Sequence, residues 1–349
     1  MNESNAAHFK REKFRAMCDI ILIMYDIVTI GSVTRDNFLE SDYEIINWPK
    51  APSGKALIFP FGEKLEVKKV YSTIGGNSAN ASVTFARQGF RTACFGKIGN
   101  DLAGKEIVHQ LGKDKVKSLF AVSKEKSTAS SVLLLERGER TILGYHGASD
   151  TLIKSDIPWN LLKSKWWYLS LAGESDKLLK PLLSFAKKNN VKVAFNPSGH
   201  NIKHKRKEIL SSLKDLAFLV LNESEAADLV GIPFKKEEEV FRKLDKLMPG
   251  IVAVTDGPNG VTVSDGKHIY KAGIFKEKRV ADRTGAGDAF GSGFVAGLMR
   301  KNDIEYAIRM ASASATSVVE YVGATEGILT KKQFESSRWK NFPISVKKL

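Results

Sequence analysis

The sequence predicts an α/β fold: a doubly wound, largely parallel central sheet flanked by helices, with a small β-sheet lid projecting from it. Three observations carry this. From residue 166 to 255, apolar runs of strand length alternate with amphipathic segments of helix length. Strands joined through helices run parallel and are covered on both faces. A glycine or polar cluster stands where each strand should end, which puts the clusters along one rim of the sheet, where open sheets of this kind bind ligands.

Residues 1–23 mix charged and polar residues with a short apolar patch and do not match the rest of the chain, so they read as an extension, disordered or not native. Met24 is then a candidate start for a single domain over 24–330. The first strand is Tyr25–Ile30, closed by Gly31. Pro49, Pro52, Gly54, Pro60 and Gly62 punctuate the next segment, an insertion over about 33–74 that belongs to the lid. A helix follows over 78–88, then a strand over 92–98 closed by Gly99-Asn100-Asp101. A second lid insertion covers about 121–150, where Ser130–Leu135 and Arg140–Tyr145 flank a hairpin-like turn. The alternation resumes with strand 166–171, helix 176–189, strand 191–195, helix 205–213, strand 217–221 and helix 223–230. It closes with helix 236–247, strand 250–255, a hairpin across 264–267, and helices at 287–300 and 303–322. Residues 331–349 read as a basic tail, and no internal repeat or low-complexity linker divides the chain.

Composition excludes several classes. The chain of 349 residues is 43% hydrophobic and 27% charged, as an ordinary globular protein is. Its net charge of +15 comes from dispersed Lys and Arg without interleaved aromatics, which argues for nucleotide attraction and against nucleic-acid binding. No apolar run of membrane-spanning length exists. Cys18 and Cys94 cannot build a disulfide framework and indicate a reducing compartment, hence a cytoplasmic protein.

The chemistry concentrates in Ala281–Leu298. Gly285, Ala286 and Gly287 precede Asp288, and Phe290, Phe294 and Leu298 then recur at helical spacing. Small residues before a helix let backbone N–H groups face an anion. A carboxylate there either takes a proton from a hydroxyl while the amides hold phosphate charge, or is an ordinary helix-start carboxylate.

Four further stretches bear on the choice: Ile74–Gly89, Gly96–Gly104, the N-E-S-E at 222–225 and the T-D-G-P-N-G at 255–260. With A-D-R-T-G-A-G-D-A-F, these resemble the ribokinase-like (PfkB) carbohydrate kinases from about Tyr25 to Ile328. The resemblance implies that Asp288 deprotonates the acceptor hydroxyl and that the amides of Gly285, Ala286 and Gly287 form the anion hole. It implies acceptor binding by Asp36, Gly75, Gly76 and Asn80, and nucleotide binding by Asn222, Thr255, Gly257 and Gly260. Glu225, with Asn222, would organise Mg2+ through water, ATP would be the donor, and a monovalent cation such as K+ is expected near Asp282. Arg283 and Asn77-Ser78 depart from the family pattern and leave the acceptor open.

The acceptor is then a free sugar, a nucleoside of adenosine type, or a sugar phosphate. Phe38, Tyr43, Trp48, Phe59 and Phe61 on the lid offer a wall for a base. His200 and His204 read as solvated, and His146 as either a substrate contact or a packed residue. A Rossmann oxidoreductase and a P-loop nucleotidase both fail on glycine spacing and position. A non-catalytic sugar or nucleotide sensor on the same fold predicts a damaged base or anion hole, and both are intact. Exposed lid strands predict a homodimer through the lid.

Overall fold

The computed structural model describes residues 24–51, 53–136 and 139–349; the extension expected over 1–23 lies outside them. β1 (Tyr25–Gly31) leads into β2 (Thr34–Glu40), the hairpin strands β3 (Glu44–Asn47) and β4 (Lys55–Ile58), and β5 (Lys69–Gly75). Next come α1 (Asn77–Arg87), β6 (Thr92–Phe95), β7 (Lys97–Gly99), α2 (Leu102–Lys113), β8 (Lys117–Ser118) and β9 (Ala121–Ser123). β10 (Ser130–Glu136) and β11 (Glu139–Tyr145) follow, then β12 (Ser164–Ser170), α3 (Leu179–Lys188), β13 (Lys192–Phe195) and α4 (Gly199–Ser212). β14 (Phe218–Asn222), α5 (Glu223–Val230), α6 (Glu237–Leu247) and β15 (Ile251–Thr255) continue the alternation. β16 (Val261–Ser264), β17 (His268–Ala272), α7 (Ala286–Lys301), α8 (Ile304–Val319) and β18 (Ile344–Lys348) complete it.

The main sheet runs β18-β17-β16-β15-β14-β13-β12-β1-β6-β8. It is parallel from β15 to β8 and antiparallel from β15 to β18. The period of two explains its two cores. Trp167, Leu169, Leu219 and Leu221 pack under α3 to α6, whereas Trp166, Tyr168, Phe218 and Val220 pack under α1, α7 and α8. On the second face α7 and α8 lie close, because Gly293 and Gly297 leave only 3.0 and 2.5 Å between a would-be Cβ and the Cα atoms of Ala311 and Ala307.

The lid is a second sheet in the order β11-β10-β2-β5. β2 pairs antiparallel with β5 and parallel with β10, so both insertions contribute to one surface. The register lines up Thr73, Asp36, Ser131 and Gly144 across all four strands.

Several expectations change. The strand expected over 92–98 breaks after Phe95, because the chain leaves the main sheet to pair β7 with β9. Residues 102–113, unassigned from sequence, form α2, capped by Asp101 accepting from the Gly104 N–H at 2.8 Å. The segment 331–349 is no free tail. Phe334 and Trp339 are buried, Phe342 stacks on Phe275 at 4.3 Å, and β18 adds an edge strand to β17. Its lysines misled because an edge strand keeps one face in solvent. No helix of the described residues is long and apolar enough to cross a membrane.

Candidate active site

A cavity of about 580 Å³ opens between the body and the lid. It lies beyond the carboxyl ends of β1 and β12, next to Ser32 and Ser170. There the strand order turns: the chain passes from β1 to β6 on one side and builds β12 to β15 on the other.

Asp288, in the first turn of α7, faces this cavity. Its Oδ2 accepts from Asn80 Nδ2 at 2.9 Å, so α1 and α7 meet at the carboxylate. Burial pushes the Asp288 carboxyl up to about 6; the Asn80 bond opposes the shift and the charge of Asp36 adds to it. Asn80 is almost fully buried and its Oδ1 has no partner among the described residues.

Asp36, in the row of residues that crosses the four lid strands, is 6% exposed. Burial raises its carboxyl too, opposed by the Thr34 and Ser131 hydroxyls and reinforced by Asp282. Thr34 Oγ1 donates to Asp36 Oδ1 at 2.8 Å. Gly75 makes the position possible: a Cβ there would stand 1.9 Å from Asp36 Oδ2.

Gly285 caps α7 with φ 78°, in the left-handed region that favours glycine, and its would-be Cβ lies 2.4 Å from that of Ala324. The first amides of α7 have no partner within the helix. The Ala286 N–H makes only a long bond, 3.4 Å, to the Arg283 carbonyl. Asp282 is buried and braces the loop, accepting from Thr284 N at 2.9 Å, Thr284 Oγ1 at 2.7 Å and Gly323 N at 3.2 Å.

Asp36, Gly76, Asn80, Gly285 and Asp288 thus line one cavity, with Gly75, Ala286 and Gly287 adjoining in the chain but not lining it. Asn222, Glu225, Thr255, Gly257 and Gly260 do not line it. They stand further along the rim, where the ends of β14 and β15 pair Asn222 with Thr255. Asn222 Oδ1 accepts from Glu225 N at 2.8 Å and Glu225 Oε2 from Asn222 N at 2.9 Å, a reciprocal cap of α5. Burial raises the Glu225 carboxyl, against bonds from the Asn222 and Gly199 amides. Because Gly199 opens α4 beside the cavity residue Ser198, the two sets share one continuous edge.

One sequence expectation does not hold and another is extended. The aromatic wall is absent from the cavity: Phe38 is buried against Leu133 and Leu135, Tyr43 packs edge-on to Phe59, and Trp48 and Phe61 face solvent. His200, expected to be solvated, is exposed and also lines the cavity from the first turn of α4; His146 and Asp150 line it from the lid exit. Ser198 as an N-cap was the signal for an earlier start to α4, and that start puts His200 in the first turn, beside the cavity residue Ser198. Arg283 is partly exposed, 3.9 Å from Glu277.

The family model for the pfkB family carbohydrate kinase matches residues 27–331. The ribokinase of Haemophilus influenzae is 29% identical over 78% of this chain and 89% of its own. The ATP-dependent 6-phosphofructokinase of Thermoanaerobacterium thermosaccharolyticum is 24% identical, over 86% and 89%. Among solved structures, the adenosine kinase of Sinorhizobium meliloti superposes with a TM-score of 0.74 at 21% identity, over 88% and 98%. With this fold and this match, the chain belongs to the pfkB family of carbohydrate kinases and is a phosphotransferase with an alcohol group as acceptor.

Proposed function

We propose that the protein transfers the γ-phosphoryl group of ATP to a hydroxyl of a small sugar-like molecule, with Asp288 as the general base. The observation that carries this is a desolvated carboxylate, held by Asn80, at the start of a helix and facing a cavity that Asp36 also lines. A carboxyl raised to about 6 is a stronger base than an ordinary aspartate, yet stays ionised at neutral pH. In this reading Asp36 and Asn80 hold the acceptor hydroxyls. The acceptor proton passes to Asp288 as the oxygen attacks in line, and the amides of Gly285, Ala286 and Gly287 receive the growing negative charge, that of Ala286 giving up its long bond to Arg283.

The rim supports a nucleotide beside the acceptor, through Asn222, Thr255, Gly257 and Gly260. Among the described residues no three His, Cys, Asp or Glu side chains converge as a metal cage. That fits Mg2+, which keeps its waters and leans on phosphate oxygens, better than a tightly ligated ion. Glu225 and Asn222, already bonded to backbone amides, suit contacts through water. When bound, the ion neutralises phosphate charge. A monovalent cation such as K+ would draw on backbone carbonyls of the loop that Asp282 braces; a rate unchanged when a bulky organic cation replaces K+ removes that ion from the reading. The unbridged, buried Cys94 suits the cytoplasm.

Replacing Asp288 by Asn tests the base directly. Turnover in a coupled ADP-release assay should fall by about 10² to 10⁴, while ATP affinity by calorimetry stays within a few fold. Full activity in this variant would remove Asp288 from the role. An inert wild type that still binds nucleotide and sugar would favour the sensor.

A further inference from the structure

The cavity has a charge pattern that bears on the acceptor. Its ionisable lining consists of the carboxylates of Asp36, Asp150 and Asp288, the imidazoles of His146 and His200 and the phenol of Tyr145; among the described residues neither lysine nor arginine contributes. Sites that hold a phosphate monoester supply Arg, Lys or a nest of free amides. Such an ester carries about −1.5 to −2 charges at neutral pH. On the proposed reading the amides at the start of α7 serve the phosphoryl group in transit, so a second phosphate on the acceptor would meet three carboxylates with no lysine or arginine to offset them.

Asp150 occupies the wall formed where the lid returns to the body. It belongs to the single turn Gly147–Thr151 that follows β11. Its Oδ1 lies 3.9 Å from His146 Nδ1, too far for a hydrogen bond. Gly173, after β12, leaves room for it: a Cβ there would stand 2.5 Å from Asp150 Cγ. The carboxylate therefore lies against Gly173 with its side chain 36% exposed, lines the cavity, and lacks a close partner among the described residues. A hydroxyl supplies what Asp150 lacks, since an O–H donates to a carboxylate without adding charge, as those of Thr34 and Ser131 already do to Asp36.

We propose that the acceptor is an unphosphorylated polyhydroxy compound, such as the sugar ring of a free sugar or a nucleoside, and that Asp150 is a specificity-determining residue that binds one of its hydroxyls. The inference rests on the reading of this cavity as the acceptor site of a kinase.

The test compares kcat/KM in the ADP-release assay for ribose, adenosine and cytidine against fructose 6-phosphate, using wild type, Asp150→Asn and Asp150→Ala. At least one unphosphorylated acceptor should exceed the sugar phosphate by about 100-fold. Both variants should raise its KM by about tenfold, as loss of one charge-assisted bond does, with kcat within about twofold. Unchanged nucleotide affinity and melting temperature separate this from a folding defect. Preference for fructose 6-phosphate, or unaltered KM in both variants, overturns the inference while the kinase reading stands. If no acceptor is turned over by wild type, the kinase reading itself fails and takes this inference with it.

Discussion

Asp288 shows how one residue ties stability to chemistry. Its folded carboxyl sits near 6, above the ordinary 3.8, because burial disfavours the charged form. As a base it must be ionised, so kcat/KM should fall about tenfold per pH unit below 6 and level off above 7, measured on the preferred acceptor. The same burial makes the ionised site costly to fold. Its contribution to stability is fully present below the unfolded value and is lost as pH rises through about 6. Holding the carboxyl that far above its ordinary value costs at most about 3 kcal/mol once the group is ionised. Asp288→Asn should therefore melt higher than wild type at pH 7.5, and the gain should vanish near pH 3.5. A variant that melts lower at pH 7.5 would show the ionised carboxylate to be stabilising.

Among elements, the end of β5 is the most exacting, since Gly75 lies against the carboxylate it helps to seat. Gly75→Ala should push Asp36 aside, raising the acceptor KM by about tenfold or more with the nucleotide KM unchanged; equal effects on both substrates would place the fault elsewhere. The strands were legible where period two met apolar residues on both faces, as in Trp166-Trp167-Tyr168-Leu169, whose neighbours go to opposite cores. α2 was not, because Gly99-Asn100-Asp101 reads as a turn and Asp101 serves equally as a helix cap. The last strand was hidden by lysines at exposed edge positions. In the site, local pattern marked the glycines and carboxylates of each motif. It could not reveal that His200 and Asp150 converge on the cavity, for that depends on where the lid returns to the body.

For the molecule as a whole, the lid leaves two edges, β5 and β11, and apolar side chains in solvent: Val70 at 61%, Ile142 at 50% and Leu143 at 59% exposed. An unpaired edge bearing exposed apolar residues is a template on which another chain can pair. We expect a homodimer through the lid, seen as twice the monomer mass by light scattering at micromolar concentration; monomer alone would exclude it, and Leu143→Lys should dissociate it. The lid is also joined to the body at several points, and these are not neutral connectors. Ser32 and Thr34 flank the passage from β1 to β2, Gly76 the passage from β5 to α1, and Tyr145 and His146 the exit from β11, and all of them line the cavity. A swing of the lid would turn about residues that, on the proposed reading, surround the acceptor. On that reading the hinge and the grip would be one structure, and letting go of the product and opening the enzyme would be the same event.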